Sequence, residues 1–172
     1  MNICRAYHSA TFLADTLYVF GGIDRKNLPT NSIEFLRVSE TGYACTYWKS
    51  LNVPDTVLGR TNPVFCPINA NQIVIIGGAG PDDALKDVHV FDMSKIDSEL
   101  KAHVSLVTED SGIACFGGAN AQFDGKSGLA SLLLDDKMNL KMIHYCQGSQ
   151  KLTTICDYGP STNEEDSDEF SD

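Results

Sequence analysis

The apolar and polar positions of this chain fall into a pattern that repeats. A four-residue apolar, β-prone run closed by two glycines occurs at Leu17-Tyr18-Val19-Phe20-Gly21-Gly22, at Ile73-Val74-Ile75-Ile76-Gly77-Gly78 and at Ile113-Ala114-Cys115-Phe116-Gly117-Gly118. Each run reads as a strand buried on both faces, and each glycine pair as a place where the backbone turns sharply or packs too closely for a Cβ. The intervals of 56 and then 40 residues between the runs point to a repeat architecture. Around the first run, β-prone stretches at 5–12, 31–38 and 44–49 are separated by polar breaks at Ala14-Asp15-Thr16, at the turn-rich 23–30 and at Ser39-Glu40-Thr41-Gly42. Four short antiparallel strands in about 50 residues make one blade of a propeller.

The second copy starts near Arg60, which precedes Gly77 by 17 residues as Arg5 precedes Gly21 by 16. Its strands are expected at 61–67, 73–76 and 87–92, with Asp87 nine residues after Gly78 as Asn31 is after Gly22. In the third copy, 103–108 is expected to be the first strand, 113–116 the second, 129–134 the third and 140–146 the outer one, leaving 151–156 with no assigned pairing. The fold expected is all-β, with about three four-stranded antiparallel blades at 5–52, 58–101 and 102–147 in an open or incomplete propeller. Within that division 1–156 form the folded region and 157–172 a disordered acidic tail.

Charge sharpens the division. The chain of 172 residues carries a net charge of −10, of which seven acids and no base fall between Asp157 and Asp172, leaving −3 for everything before them. A nearly balanced folded part lacks the clustered Lys/Arg footprint that phosphate-backbone binding needs, so no nucleic-acid partner is expected. No apolar run approaches the ~18 residues of a membrane span, so no membrane association is expected and a cytoplasmic location follows by default. The six cysteines are scattered without a C-x-x-C, which indicates buried thiols rather than a zinc site or a disulfide framework.

Arg5 near the blade start, the Gly21-Gly22 pair after Tyr18, and Trp48 some 26 residues further on resemble the kelch repeat. Arg60, Gly77, Gly78 and Asp87 fit the same pattern in the second copy, and Gly117 and Gly118 in the third. The resemblance implies a β-propeller fold and, for most kelch proteins, a non-catalytic role as a protein-binding platform, with Trp48 packing between blades. It also implies that the loops after each glycine pair form the ligand face. The candidate binding residues are then Arg25, Lys26 and Asn27 in the first loop, Asp82, Asp83 and Lys86 in the second, and Gln122, Phe123, Asp124 and Lys126 in the third. The expected partner is a protein whose identity the sequence does not give. Because closed propellers need at least four blades, a second copy of the chain is a further candidate partner that would complete the ring. A fragment of a kelch-fold enzyme, a piece of a larger ubiquitin-ligase substrate adaptor and a truncated remnant are the alternatives.

Catalytic and cofactor motifs are weak. In Gly78-Ala79-Gly80 the third glycine of a dinucleotide loop is replaced by Asp83, and Asp82 and Asp83 would face a pyrophosphate. Gly125-Lys126-Ser127 resembles the end of a phosphate loop, but its first glycine is Asn120, and 129–134 is already explained as a strand. The pairs Asp82-Asp83 and Asp135-Asp136 diverge along the backbone and read as solvated turns, and His8, His89, His103 and His144 have no ligand spacing. No enzyme activity, no catalytic residue, no metal and no cofactor are expected.

Overall fold

The computed structural model describes residues 1–38, 47–96 and 98–112, and the backbone of four further strands at 115–121, 128–135, 140–146 and 151–158. Within these the chain folds into three four-stranded antiparallel sheets. The first is β1 (Ser9–Leu13), β2 (Thr16–Phe20), β3 (Ile33–Arg37) and β4 (Lys49–Leu51), in sequence order. The second is β5 (Val64–Pro67), β6 (Gln72–Ile76), β7 (Val88–Asp92) and β8 (His103–Thr108), and the third is β9 (Cys115–Ala121), β10 (Gly128–Asp135), β11 (Leu140–Cys146) and β12 (Lys151–Tyr158). The inner strands pack side by side, with β5 between β1 and β9, so the sheets follow one another as propeller blades. No helix among the described residues is long and apolar enough to cross a membrane.

From His103 on, every strand takes a place different from the one the sequence predicts. His103–Thr108 closes the second blade instead of opening the third: it pairs with β7 through Val88↔Thr108, His89↔Leu106 and Asp92↔His103, with a bulge near Val88. The third blade is consequently shifted along the chain and takes Lys151–Tyr158 as its fourth strand, paired with β11 from Leu140↔Tyr158 to Cys146↔Lys151. Gly117 and Gly118 then lie inside the inner strand β9, where Gly118 opposes Leu133, and do not end a second strand as Gly21 and Gly77 do. The boundary expected at 102 moves past 108, and Asp157 and Tyr158, assigned to the tail, are part of β12. The remainder of the expected tail, from 159 on, lies outside the described residues.

The periodicity of β6 and β7 shows why the blades stack. Val64, Cys66, Val74, Ile76, Val88 and Val90 form one apolar cluster on one face of the second sheet, while Phe65, Ile73, Ile75 and Phe91 join residues of the first sheet on the other. A sheet buried on both faces needs this continuous apolar run instead of an alternating one. Between the first two blades the contact is aromatic: the Phe20 ring lies 5.6 Å from Phe65 and 6.1 Å from Phe91, and Phe20 is fully buried. Phe20→Leu is expected to lower stability by about 1–2 kcal/mol, seen as a lower denaturant midpoint at unchanged m-value; a midpoint equal to that of the unaltered chain would remove Phe20 from the inter-blade core.

Candidate functional site

The arginines that open the first two repeats are structural clamps. Arg60 is fully buried; its Nη1 donates to the Gly77 carbonyl at 3.0 Å, its two terminal nitrogens reach Asp87 Oδ1 and Oδ2 at 2.5 and 2.8 Å, and its Nε donates to the Leu58 carbonyl. Arg5 does the same in the first blade, donating to the carbonyls of Gly21 (2.9 Å) and Ser32 (3.1 Å) and to Glu34 Oε2 (2.9 Å), with both charged side chains wholly buried. Each clamp ties the blade entry to the glycine turn and to the third strand, so these charges hold the blade together and are not free for chemistry.

The acid partner of Arg5 lies three residues beyond the position that glycine counting picks. The ladders pair Phe20 with Ile33 and Ile76 with Val88, which makes Ser32 the counterpart of Asp87 and Glu34 the counterpart of His89. The backbone agrees, since Gly21 N donates to Ser32 O as Gly77 N donates to Asp87 O. The first loop is one residue longer, so Asn31 is displaced and donates instead to the Val57 carbonyl at 3.1 Å. In the second blade the acid stands one step before the strand and a histidine takes the strand position; His89 Nε2 lies 2.7 Å from Asp87 Oδ2.

Burial would raise the Asp87 carboxyl, but hydrogen bonds from His89 and Arg60 and the Arg60 charge outweigh it and hold the group well below the usual carboxylate range. A depressed native value means that the unfolded chain takes up the proton first. The contribution to stability is therefore full above the unfolded value of about 4 and is lost as pH falls below it. Between pH 5 and 2 the unfolding midpoint of the unaltered chain is expected to drop more steeply than that of Asp87→Asn; parallel pH profiles would contradict this.

The loops of interest leave the blades at the end that carries the glycine turns. In the first, Asp24 Oδ1 accepts from the amides of Lys26 (2.8 Å) and Leu28 (3.1 Å), and Asn27 takes a left-handed φ of 62°, so a single acid shapes a turn that projects Arg25, Lys26 and Asn27 into solvent. Arg25 Nη2 lies 3.1 Å from Cys4 Sγ. In the second, Asp82, Asp83 and Lys86 are exposed, with Asp83 Oδ1 accepting from Ala84 N. Gln122, Phe123, Asp124 and Lys126 of the third loop lie outside the described residues. Trp48 is half-buried beside β4, and its carbonyl accepts from Asn2 Nδ2.

A groove that no local sequence pattern marks lies at this same end. An open cavity of about 610 Å³ lies where the connector into the second blade meets the starts of β7 and the end of β8, lined by Leu58, Leu85, Lys86, His89, Leu106 and Glu109 among others. Leu58 and Leu106 are 49% and 51% exposed, which is unusual for aliphatic residues flanking a buried histidine. Of the candidate loop residues, Lys86 borders the groove, whereas Arg25, Lys26 and Asn27 are not among its lining residues. His89 alternates with Val88 and Val90 in sequence, but its meeting with Leu106 depends on the β7–β8 pairing, which no local pattern encodes.

Three four-stranded sheets with adjacent inner strands, each of the first two locked by an arginine at its entry, define a set of kelch-type propeller blades. The chain carries a Kelch motif, which matches residues 4–35 and so spans the Arg5 clamp, the first glycine turn and most of β3. Among solved structures, 110 chains match, so the architecture alone does not select a function. One of them, titled "Structure of YjhT", superposes with a TM-score of 0.63 at 12% identity, over 90% of this chain and 46% of that one. The chain thus spans less than half the length of that structure. No curated protein matches.

Proposed function

We propose that this chain is a non-catalytic protein-interaction module that binds a protein partner through the loop end of its blades. Kelch repeats generally mediate protein–protein interaction. The observation that carries the reading is the division of labour among polar residues. Arg5, Glu34, Arg60 and Asp87 are consumed by the clamps, while the loop end presents unclamped charge beside exposed aliphatic groups at Leu58 and Leu106. An apolar patch with a few polar groups in a concave site is the usual composition of a binding surface.

Replacing Lys26, Lys86 and Leu58 together, by Ala, Ala and Asp, should abolish capture of partner proteins at an unchanged unfolding midpoint. The same set of captured proteins with both forms would refute the loop-end reading. A second surface favours association of blades. The face of the first sheet turned away from the second carries the row Phe12–Leu17–Leu36, with Phe12 57% exposed. We infer that a second copy of the chain covers this row. Light scattering should then show a species of twice the chain mass that Phe12→Arg converts to a single copy; a single copy throughout would contradict it.

A further inference from the structure

Glu34 and His89 occupy the same place in their blades, and the two blades treat it differently. In the first blade the segment before the clamp arginine lies across Glu34, whose carboxylate accepts from the backbone amides of Asn2 (2.5 Å) and Ile3 (3.3 Å). In the second blade the segment before Arg60 turns away: Val57 N donates to the Pro54 carbonyl, and the side chain of Leu58 stands as a wall of the groove. His89 is left with Nε2 on the Asp87 carboxylate and with Nδ1 buried and without a hydrogen-bond partner. With Nε2 carrying the proton toward a carboxylate, Nδ1 of the neutral ring is an acceptor without a donor. An unmet buried acceptor is costly, and a donor supplied by a ligand would recover that cost.

The rim adds charge that is net negative. Asp87 is neutralised by Arg60, so the charges free to meet a ligand are Lys86, Glu109 and Asp110 at the rim, with Asp82 and Asp83 on the same loop as Lys86. Glu109 and Asp110 are both exposed, and Asp110 Oδ1 accepts from Gly112 N at 2.7 Å, which fixes the turn without neutralising it. Aliphatic walls, a buried acceptor on a blade position that elsewhere receives backbone amides, and an acidic rim are together complementary to one kind of ligand. Resting on the binding reading above, we propose that this groove takes an extended segment of the protein partner with an aliphatic residue next to a lysine or arginine. The aliphatic side chain lies between Leu58 and Leu106, a backbone N–H donates to His89 Nδ1, and the basic group meets Glu109 and Asp110.

Fluorescence polarisation on the full chain tests this with two labelled octapeptides, one alternating leucine with arginine and one alternating leucine with glutamate. The arginine peptide is expected to bind at least about tenfold more tightly, with the difference shrinking at high salt. The double variant E109K/D110K should abolish or invert the preference at an unchanged unfolding midpoint. Equal binding of the two peptides, binding of neither, or a preference that survives the double variant overturns the proposal. A preference for the glutamate peptide, the result expected if the natural occupant were an acidic segment, overturns it as well. If the loop-end substitutions abolish partner capture while the peptides show no preference, the binding reading stands and only this groove assignment falls.

Discussion

Arg60→Met is expected to cost about 3–5 kcal/mol, enough to leave the chain largely unfolded if its total stability is at the lower end of the usual ~5–15 kcal/mol. The magnitude follows from what the substitution strands. Asp87 is only 16% exposed and would keep its charge with His89 as sole neighbour, and the Gly77 and Leu58 carbonyls would lose their donor. Methionine fills much of the stem volume, so the loss is mainly electrostatic. Adding Asp87→Asn removes the stranded charge, and R60M/D87N should be less destabilised than the two single costs together. Urea titrations of the four forms decide it; R60M within about 1 kcal/mol of the unaltered chain would show that the clamp is incidental.

Gly21→Ala is the second large effect, expected at about 3 kcal/mol. Gly21 sits at φ +71°, and a Cβ there would come within 2.5 Å of the Arg60 carbonyl oxygen. That oxygen cannot retreat, because it accepts from Gly22 N at 2.8 Å across the junction of the first two blades. Strain of conformation and collision thus add at one atom. Gly112 separates them: its φ is +73° but a Cβ would meet nothing within 4 Å, so Gly112→Ala should cost only about 1 kcal/mol. Equal denaturant midpoints for the two variants would mean that the close approach at Gly21 is relieved without loss.

The residues that made the fold legible are those whose role is local. Leu17–Phe20 and Ile73–Ile76 read as doubly buried strands because consecutive apolar residues leave no solvent face, and Gly21 and Gly77 end them in the left-handed region. Arg5 and Arg60 were placed by spacing, and each does reach the carbonyl of its glycine. What failed depends on pairing over distance. The stretch His103–Thr108 followed by a turn at 109–112 looks locally like the start of a hairpin, yet its ladder lies back on β7. The run ending in Gly117-Gly118 has the composition of its two predecessors but sits in an inner strand. Glu34 escaped notice because one extra loop residue slid the counting frame by one, from Asn31 to Ser32, and the acid stands two residues further on, in the strand itself.

The candidate site was legible only as loops. Spacing after the glycine pairs located Lys26 and Lys86 on exposed turns, but charge on a turn is common and identifies no ligand. The groove is assembled by Leu58 from a connector, His89 from β7 and Leu106 from β8, three residues whose neighbours in sequence give no sign of convergence. Its chemistry became apparent from the contrast between Glu34, which backbone amides satisfy, and His89, whose Nδ1 has no partner.

The central claim is that this module binds protein at its loop end, and site-specific photo-crosslinking in cells tests it most directly. A benzophenone amino acid is placed at Lys86, on the groove rim, and in parallel at Ala70, in the exposed turn between β5 and β6 at the opposite end of the second blade. A discrete crosslinked partner band is expected from position 86 and none of the same mass from position 70. A band from position 70 alone, or bands of equal intensity and mass from both, would contradict it.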